Sequence, residues 1–135
     1  QQEYFTNDQK IINEHKSSFL ATRKSLQRLG QVTHGDPEIL ELPTLYHLMT
    51  VFETLPDENT TVTSCLKSVL PYGSHPLESG LKLLQQLETE PRGAYYGLVG
   101  MIEPMQNFSF CQIIRTVFKE KNECYFKVGA AITRD

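Results

Sequence analysis

The sequence predicts an α+β fold, with helices packed on sheets, from three observations. Apolar residues recur at helical spacing in three stretches before Pro91. After Pro91 the chain reads as strand and turn to its end. Two of the helical stretches follow one another between strand-like regions, which speaks against a simple sandwich.

Asn7 to about Leu29 is the first helix. Ile11, Ile12, His15, Phe19, Leu26 and Leu29 share one stripe, and Gly30 supplies the stop. "EILELP" is a short strand. "LYHLMTVFETL" follows as a strand with Leu45, His47, Met49 and Val51 on one face, apolar on both sides as if covered twice. Asn59 caps a helix running to about Leu70, with Val62, Leu66 and Val69 inward. Pro71 and Gly73 break it. Pro76 opens "PLESGLKLLQQLE", whose stripe is Leu77, Leu81, Leu84 and Leu87. The rest is a three-stranded antiparallel meander: Tyr95 to Ile102, the long strand "FSFCQIIRTVFKE", and "CYFKVGAAI".

Composition narrows the function classes. The 135 residues match one ordinary domain, and 39% hydrophobic content suits a globular chain. A net charge of −3 and a pI of 5.8 leave no basic footprint for nucleic acid. No apolar run approaches the roughly 18 residues of a membrane span. The first residue is not Met, which fits a piece of a longer protein. Cys65, Cys111 and Cys124 form no CxxC pair, which argues against zinc and a disulfide scaffold. Reduced thiols in a cytoplasmic protein are the simpler reading.

Several residues carry possible chemistry, each beside a plainer role. Glu14 is either a solvated carboxylate or one that holds Mg2+ jointly with an anionic substrate. His15 lies on the helical stripe and reads as packing. His47 sits mid-strand, either structural or within reach of a substrate hydroxyl. Arg115 interrupts an apolar strand, so it needs a partner: a structural carboxylate or a ligand carboxylate in its planar fork. "KVGAAI" (Lys127 to Ile132) has small residues that leave backbone N–H groups open to an anion, or that serve tight sheet packing. The glycines of "PRGAYYGLVG" mark a close approach to the backbone, and they do not form a dinucleotide fingerprint.

Taken in order, these pieces resemble the chorismate-utilising enzymes: isochorismate, salicylate, anthranilate and aminodeoxychorismate synthases. "NEH" (Asn13 to His15) resembles the helical Glu-His motif, and "LPTLYHLMT" the strand with the active-site histidine. "LETEPRGAYYGLVG" resembles the signature "LEP…RG.Y.G.VG". "IIRT" and "VGAAI" resemble "IRT" and "GAGI".

The resemblance implies the chorismate-binding fold, with residues 1–135 as the later half of its catalytic domain. It implies Mg2+ as cofactor, chorismate as substrate, Glu14 as a metal ligand and His47 beside the ring. Tyr95 and Arg115 would bind one carboxylate, and the backbone at Gly129 and Ala130 would bind carboxylate as well. Gly97 and Gly100 would keep the backbone thin beside that site.

"SSFLATRKSLQRL" departs from the anthranilate-type "LVDL.RND" and, with "LPTLYHLMT", looks more like isochorismate synthases. The alternatives are an anthranilate, aminodeoxychorismate or salicylate synthase, or a binding module without turnover. The last is suggested by the short "YGSHPLE" loop and by Ala131 in "GAAI". Menaquinone, siderophore and salicylate pathways all remain open for the product.

Overall fold

The computed structural model describes residues 7–70, 76–104 and 107–130, and only the backbone of Leu77. The described residues fall into two compact units, one ending at Val69 and the other running Leu70–Ala130. The class is α+β, as expected: three helices and four small antiparallel sheets among these residues.

In the first unit, helix α1 spans Gln9–Leu26. Its start is set by Asp8, whose carboxylate accepts from the amides of Lys10 and Ile11. Arg23 and Lys24 in the last turn complement the negative end of the dipole. The expected stripe is the inward one: Ile11, Ile12, His15 and Phe19 are half-buried and Leu26 is buried. Helix α2, Val62–Val69, packs on α1 together with strand β1, Gly30–His34. Ser25 and Ser68 are buried with Leu26, and Ser68 Oγ satisfies itself on the carbonyl of Cys65 at 2.7 Å.

The cap of α2 is Thr61 and not Asn59: the Ser64 amide donates to Thr61 Oγ1 at 3.2 Å. Asn59 is excluded because the Thr60 amide closes a turn on the carbonyl of Asp57, placing Asn59 inside that turn.

Strands β2 (Glu38–Leu42) and β3 (Leu45–Met49) pair antiparallel, with Leu40 opposite His47. Strand β4 (Phe52–Pro56) pairs with β1, with His34 opposite Phe52 and Gly30 opposite Pro56. One hairpin is thus nested inside another. "LYHLMTVFETL" is therefore two strands, because β3 and β4 serve different partners and the chain must break at Thr50 and Val51. Strand β1 has a single large apolar residue, Val32, and gives no alternation for sequence reasoning to find.

In the second unit, helix α3 spans Leu77–Leu87 and begins after Pro76, as expected. Strands β5 (Leu98–Ile102) and β6 (Phe108–Gln112) pair antiparallel, as do β7 (Val117–Glu120) and β8 (Glu123–Phe126). The three-stranded meander is thus corrected to two hairpins. The long strand "FSFCQIIRTVFKE" breaks between Gln112 and Val117, where Arg115 takes a φ of 52°. A left-handed residue cannot continue a strand.

The close approach at Gly100 is also resolved. A Cβ there would lie 1.9 Å from the carbonyl oxygen of Ser109 and 2.7 Å from Cα of Phe110. The partner strand β6 needs that space, not a ligand. The shortened loop at Gly73 and Ser74, and Ala131, lie outside the described residues.

Candidate functional site

In the second unit, local turns bring three expected residues together. Residues 93–96 form a turn before β5, closed by the Tyr95 amide on the Arg92 carbonyl at 3.2 Å and the Gly97 amide on Ala94 at 2.9 Å. Tyr95 is therefore a turn residue and not the first of a strand. The Tyr96 amide donates to the Ile113 carbonyl and the Ile113 amide to the Gly97 carbonyl, both at 2.9 Å. These bonds fasten the tyrosine turn to the segment that leads into Arg115.

Arg115 is exposed at the bend between β6 and β7, which replaces the expected guanidinium in the middle of a strand. Its positive φ and that of Tyr96, 68°, are two local strains on facing segments. Such conformations cost of order 1–3 kcal/mol and persist only where the surroundings impose them.

Tyr95, Arg115 and Gly129 line one cavity of about 460 Å³. Ala130 follows directly and is exposed. Tyr96, Thr116 and Lys127 add polar groups, while Val117 and Phe126 are among its apolar walls. Two cations and no carboxylate line it among the described residues. With arginine's planar fork, a phenol and an uncovered backbone, such a wall suits a carboxylate on a partly apolar body. At Gly129 a Cβ would stand 3.1 Å from the Tyr95 hydroxyl, so the absent side chain is what opens this corner.

The rim is braced by charge. Arg92 grips Glu88 with two hydrogen bonds, from Nε at 2.8 Å and Nη2 at 2.5 Å, and its guanidinium lies 5.2 Å from the centre of the Tyr96 ring. The hydrogen bonds from Arg92 hold the Glu88 carboxyl below the usual range. The Tyr96 ring in turn meets Tyr95 edge-on at 4.8 Å.

The first unit holds the other expected residues. Glu14 and His15 are half-buried on α1, and His47 is the half-buried centre of β3. His15 Nε2 pairs with Thr50 Oγ1 at 2.9 Å, pinning α1 to the break after β3, and burial lowers its pKa. Sequence reasoning gave His15 a packing role, and this pinning suits that.

Among the described residues, no group of three or more His, Cys, Asp and Glu is placed to hold a metal ion. Glu14, the residue expected as a metal ligand, offers a single half-buried carboxylate on α1.

Lys127, Tyr96 and Thr116 line the cavity without having been singled out by sequence reasoning. The available signal for Lys127 was a lone cation between the apolar strand "CYF" and the small residues that follow. No helix among the described residues is long and apolar enough to cross a membrane.

Comparison with known proteins bears on this geometry. The profile of the family described as chorismate binding enzyme matches residues 1–135. Anthranilate synthase component 1 of Acetivibrio thermocellus is 27% identical over 136 positions, covering 96% of this chain and 28% of that protein. Isochorismate synthase EntC of Escherichia coli K12 is 26% identical over 129 positions, 92% of this chain and 33% of that protein. A probable aminodeoxychorismate synthase of Oryza sativa subsp. japonica is 37% identical over 71 positions, 50% of this chain and 8% of that protein. No solved structure matches.

Proposed function

Since the chain belongs to the family of chorismate-binding enzymes, we propose that it is the later part of the catalytic domain of a Mg2+-dependent, cytoplasmic isochorismate synthase. The observation that carries the reading is the cavity where Tyr95, Arg115 and Gly129 meet with two cations and, among the described residues, no acid. The subtype rests on "SSFLATRKSLQRL" and "LPTLYHLMT". The cytoplasmic setting rests on three cysteines that suit a reducing compartment.

In this reading chorismate presents a carboxylate to Arg115, which takes both oxygens in its fork, and the Tyr95 hydroxyl donates to the same group. The backbone at Gly129 and Ala130 accepts carboxylate in the corner that the missing side chain leaves open. Fixing the substrate by its charged groups spends binding energy on orientation, which is where positional catalysis gains most. His47 takes its role beside the ring from the resemblance of "LPTLYHLMT" to the family's histidine strand. Glu14 would supply one ligand to Mg2+, and the ion would provide Lewis-acid assistance to departure of the C4 hydroxyl as water adds at C2. A general base and a general acid serve the two ends of that exchange.

A second reading, an aminating enzyme of the anthranilate type, is favoured by the 27% identity to anthranilate synthase component 1 over 96% of this chain. One experiment separates them. The whole protein is incubated with chorismate and Mg2+, alone and with ammonia, and the products are resolved by chromatography. Isochorismate without ammonia supports the first reading, and an aminated product supports the second. Unchanged chorismate under both conditions refutes both.

A further inference from the structure

Lys127 lines the cavity, and its Nζ donates to the carbonyl of Pro91 at 2.5 Å, joining positions 36 residues apart in the chain. Each end of this bond leads directly to a wall of the site. Pro91 opens the segment that turns at residues 93–96 and presents Tyr95. Lys127 leads through Val128 to Gly129, where a Cβ would stand 3.1 Å from the Tyr95 hydroxyl. Residues 127–130 carry no regular secondary structure and lie past the end of the β7–β8 ladder. Lys127 is half-buried in this otherwise exposed segment.

We propose that Lys127 is a positioning residue: its ammonium latches residues 127–129 to Pro91 and so holds the Tyr95 hydroxyl against the Gly129 backbone. The latch fixes the width of the corner that receives a carboxylate and adds a second positive charge to its wall. This inference rests on the reading of the cavity as the chorismate carboxylate site. A charged donor on a carbonyl is stronger than a neutral pair, which suits a bond that must hold two irregular segments. The nearby Glu88 is engaged by Arg92, so the ammonium has the Pro91 carbonyl as its short-range acceptor.

The test uses the whole protein with Lys127→Met, Lys127→Gln and Lys127→Arg. Chorismate turnover with Mg2+ gives KM and kcat, and hydrogen–deuterium exchange without substrate reads the amides of residues 92–97 and 127–130. Lys127→Met is expected to raise KM about tenfold, equivalent to roughly 1.4 kcal/mol, with kcat within about twofold. Exchange should quicken in both segments together. Lys127→Arg should restore both readouts, and Lys127→Gln covers the case in which the methionine variant does not fold.

Wild-type KM in the methionine variant overturns the positioning role, whether or not exchange quickens. Unchanged exchange overturns the latch. If the wild-type protein leaves chorismate untouched, the functional reading fails. The exchange comparison still decides whether Lys127 ties the two segments.

Discussion

The Tyr95 hydroxyl stands 3.1 Å from the point where a side chain at Gly129 would begin, so the two residues define one edge of the cavity between them. Added carbon at Gly129 must push the phenol or occupy ligand space. Gly129→Ala is expected to raise KM for chorismate about tenfold or more. Tyr95→Phe alone should raise KM too, and the double variant should lose less than the two single losses combined, because the oxygen in the way is gone. Strictly additive effects in the double-mutant cycle would disprove the contact.

Arg115 combines a side-chain role with a backbone strain, and the two separate by substitution. Glycine accepts the φ of 52° without penalty but removes the fork. Arg115→Gly is expected to lower kcat/KM by about 30-fold or more, the equivalent of roughly 2 kcal/mol, with a melting temperature above that of Arg115→Ala. Arg115→Ala should abolish turnover and also lose stability. A glycine variant with wild-type kcat/KM would show that the cavity does not use the guanidinium.

Metal dependence bears on Glu14. Chelation of Mg2+ should abolish turnover, and Glu14→Gln should raise the Mg2+ concentration for half-maximal rate at least about tenfold. The same half-maximal concentration in variant and wild type would remove Glu14 from the metal site.

Burial holds the His15 pKa below its ordinary value of about 6.5. A depressed folded-state pKa means that the unfolded chain binds the proton more tightly. The stability His15 contributes is therefore complete above about pH 6.5 and lost as the pH falls through the folded-state value. Between pH 7.5 and 5 the melting temperature should fall more in the wild type than in His15→Gln. Parallel curves would assign the acid sensitivity elsewhere.

The helices were legible because their signal is local. The Ile11 to Leu26 stripe and the Pro76 start are patterns of a few turns. What escaped depends on pairing or on single dihedrals. Val32 alone could not announce β1, whose partner β4 lies beyond an entire hairpin. "QIIRTVF" alternates like a strand, and nothing in it signals that Arg115 turns left-handed. Gly100 reads as a close approach from sequence, but the approaching group is β6, which only the register identifies.

For the candidate site, Tyr95 came from motif resemblance, while Arg115 and the backbone at Gly129 were also legible in the residues themselves, as an arginine in an apolar run and as a small-residue patch, and the structure sets these three around one cavity. Lys127 sits inside the quoted run "KVGAAI". A reading based on its small residues gives the lysine no part.

Pairing of β1 and β4 around the β2–β3 hairpin also orders the steps by which this unit assembles. Once the inner hairpin has zipped, Gly35 and Val51 are already neighbours, and the outer ladder closes a far shorter effective loop than the sequence separation suggests. Nucleation is therefore expected at the inner turn. Ile39→Ala in the inner pair should slow refolding, while Val32→Ala in the outer pair should mainly hasten unfolding. Stopped-flow traces with the reverse pattern would place the nucleus in the outer strands. A chain built this way closes its shortest loop first, in a segment of two five-residue strands.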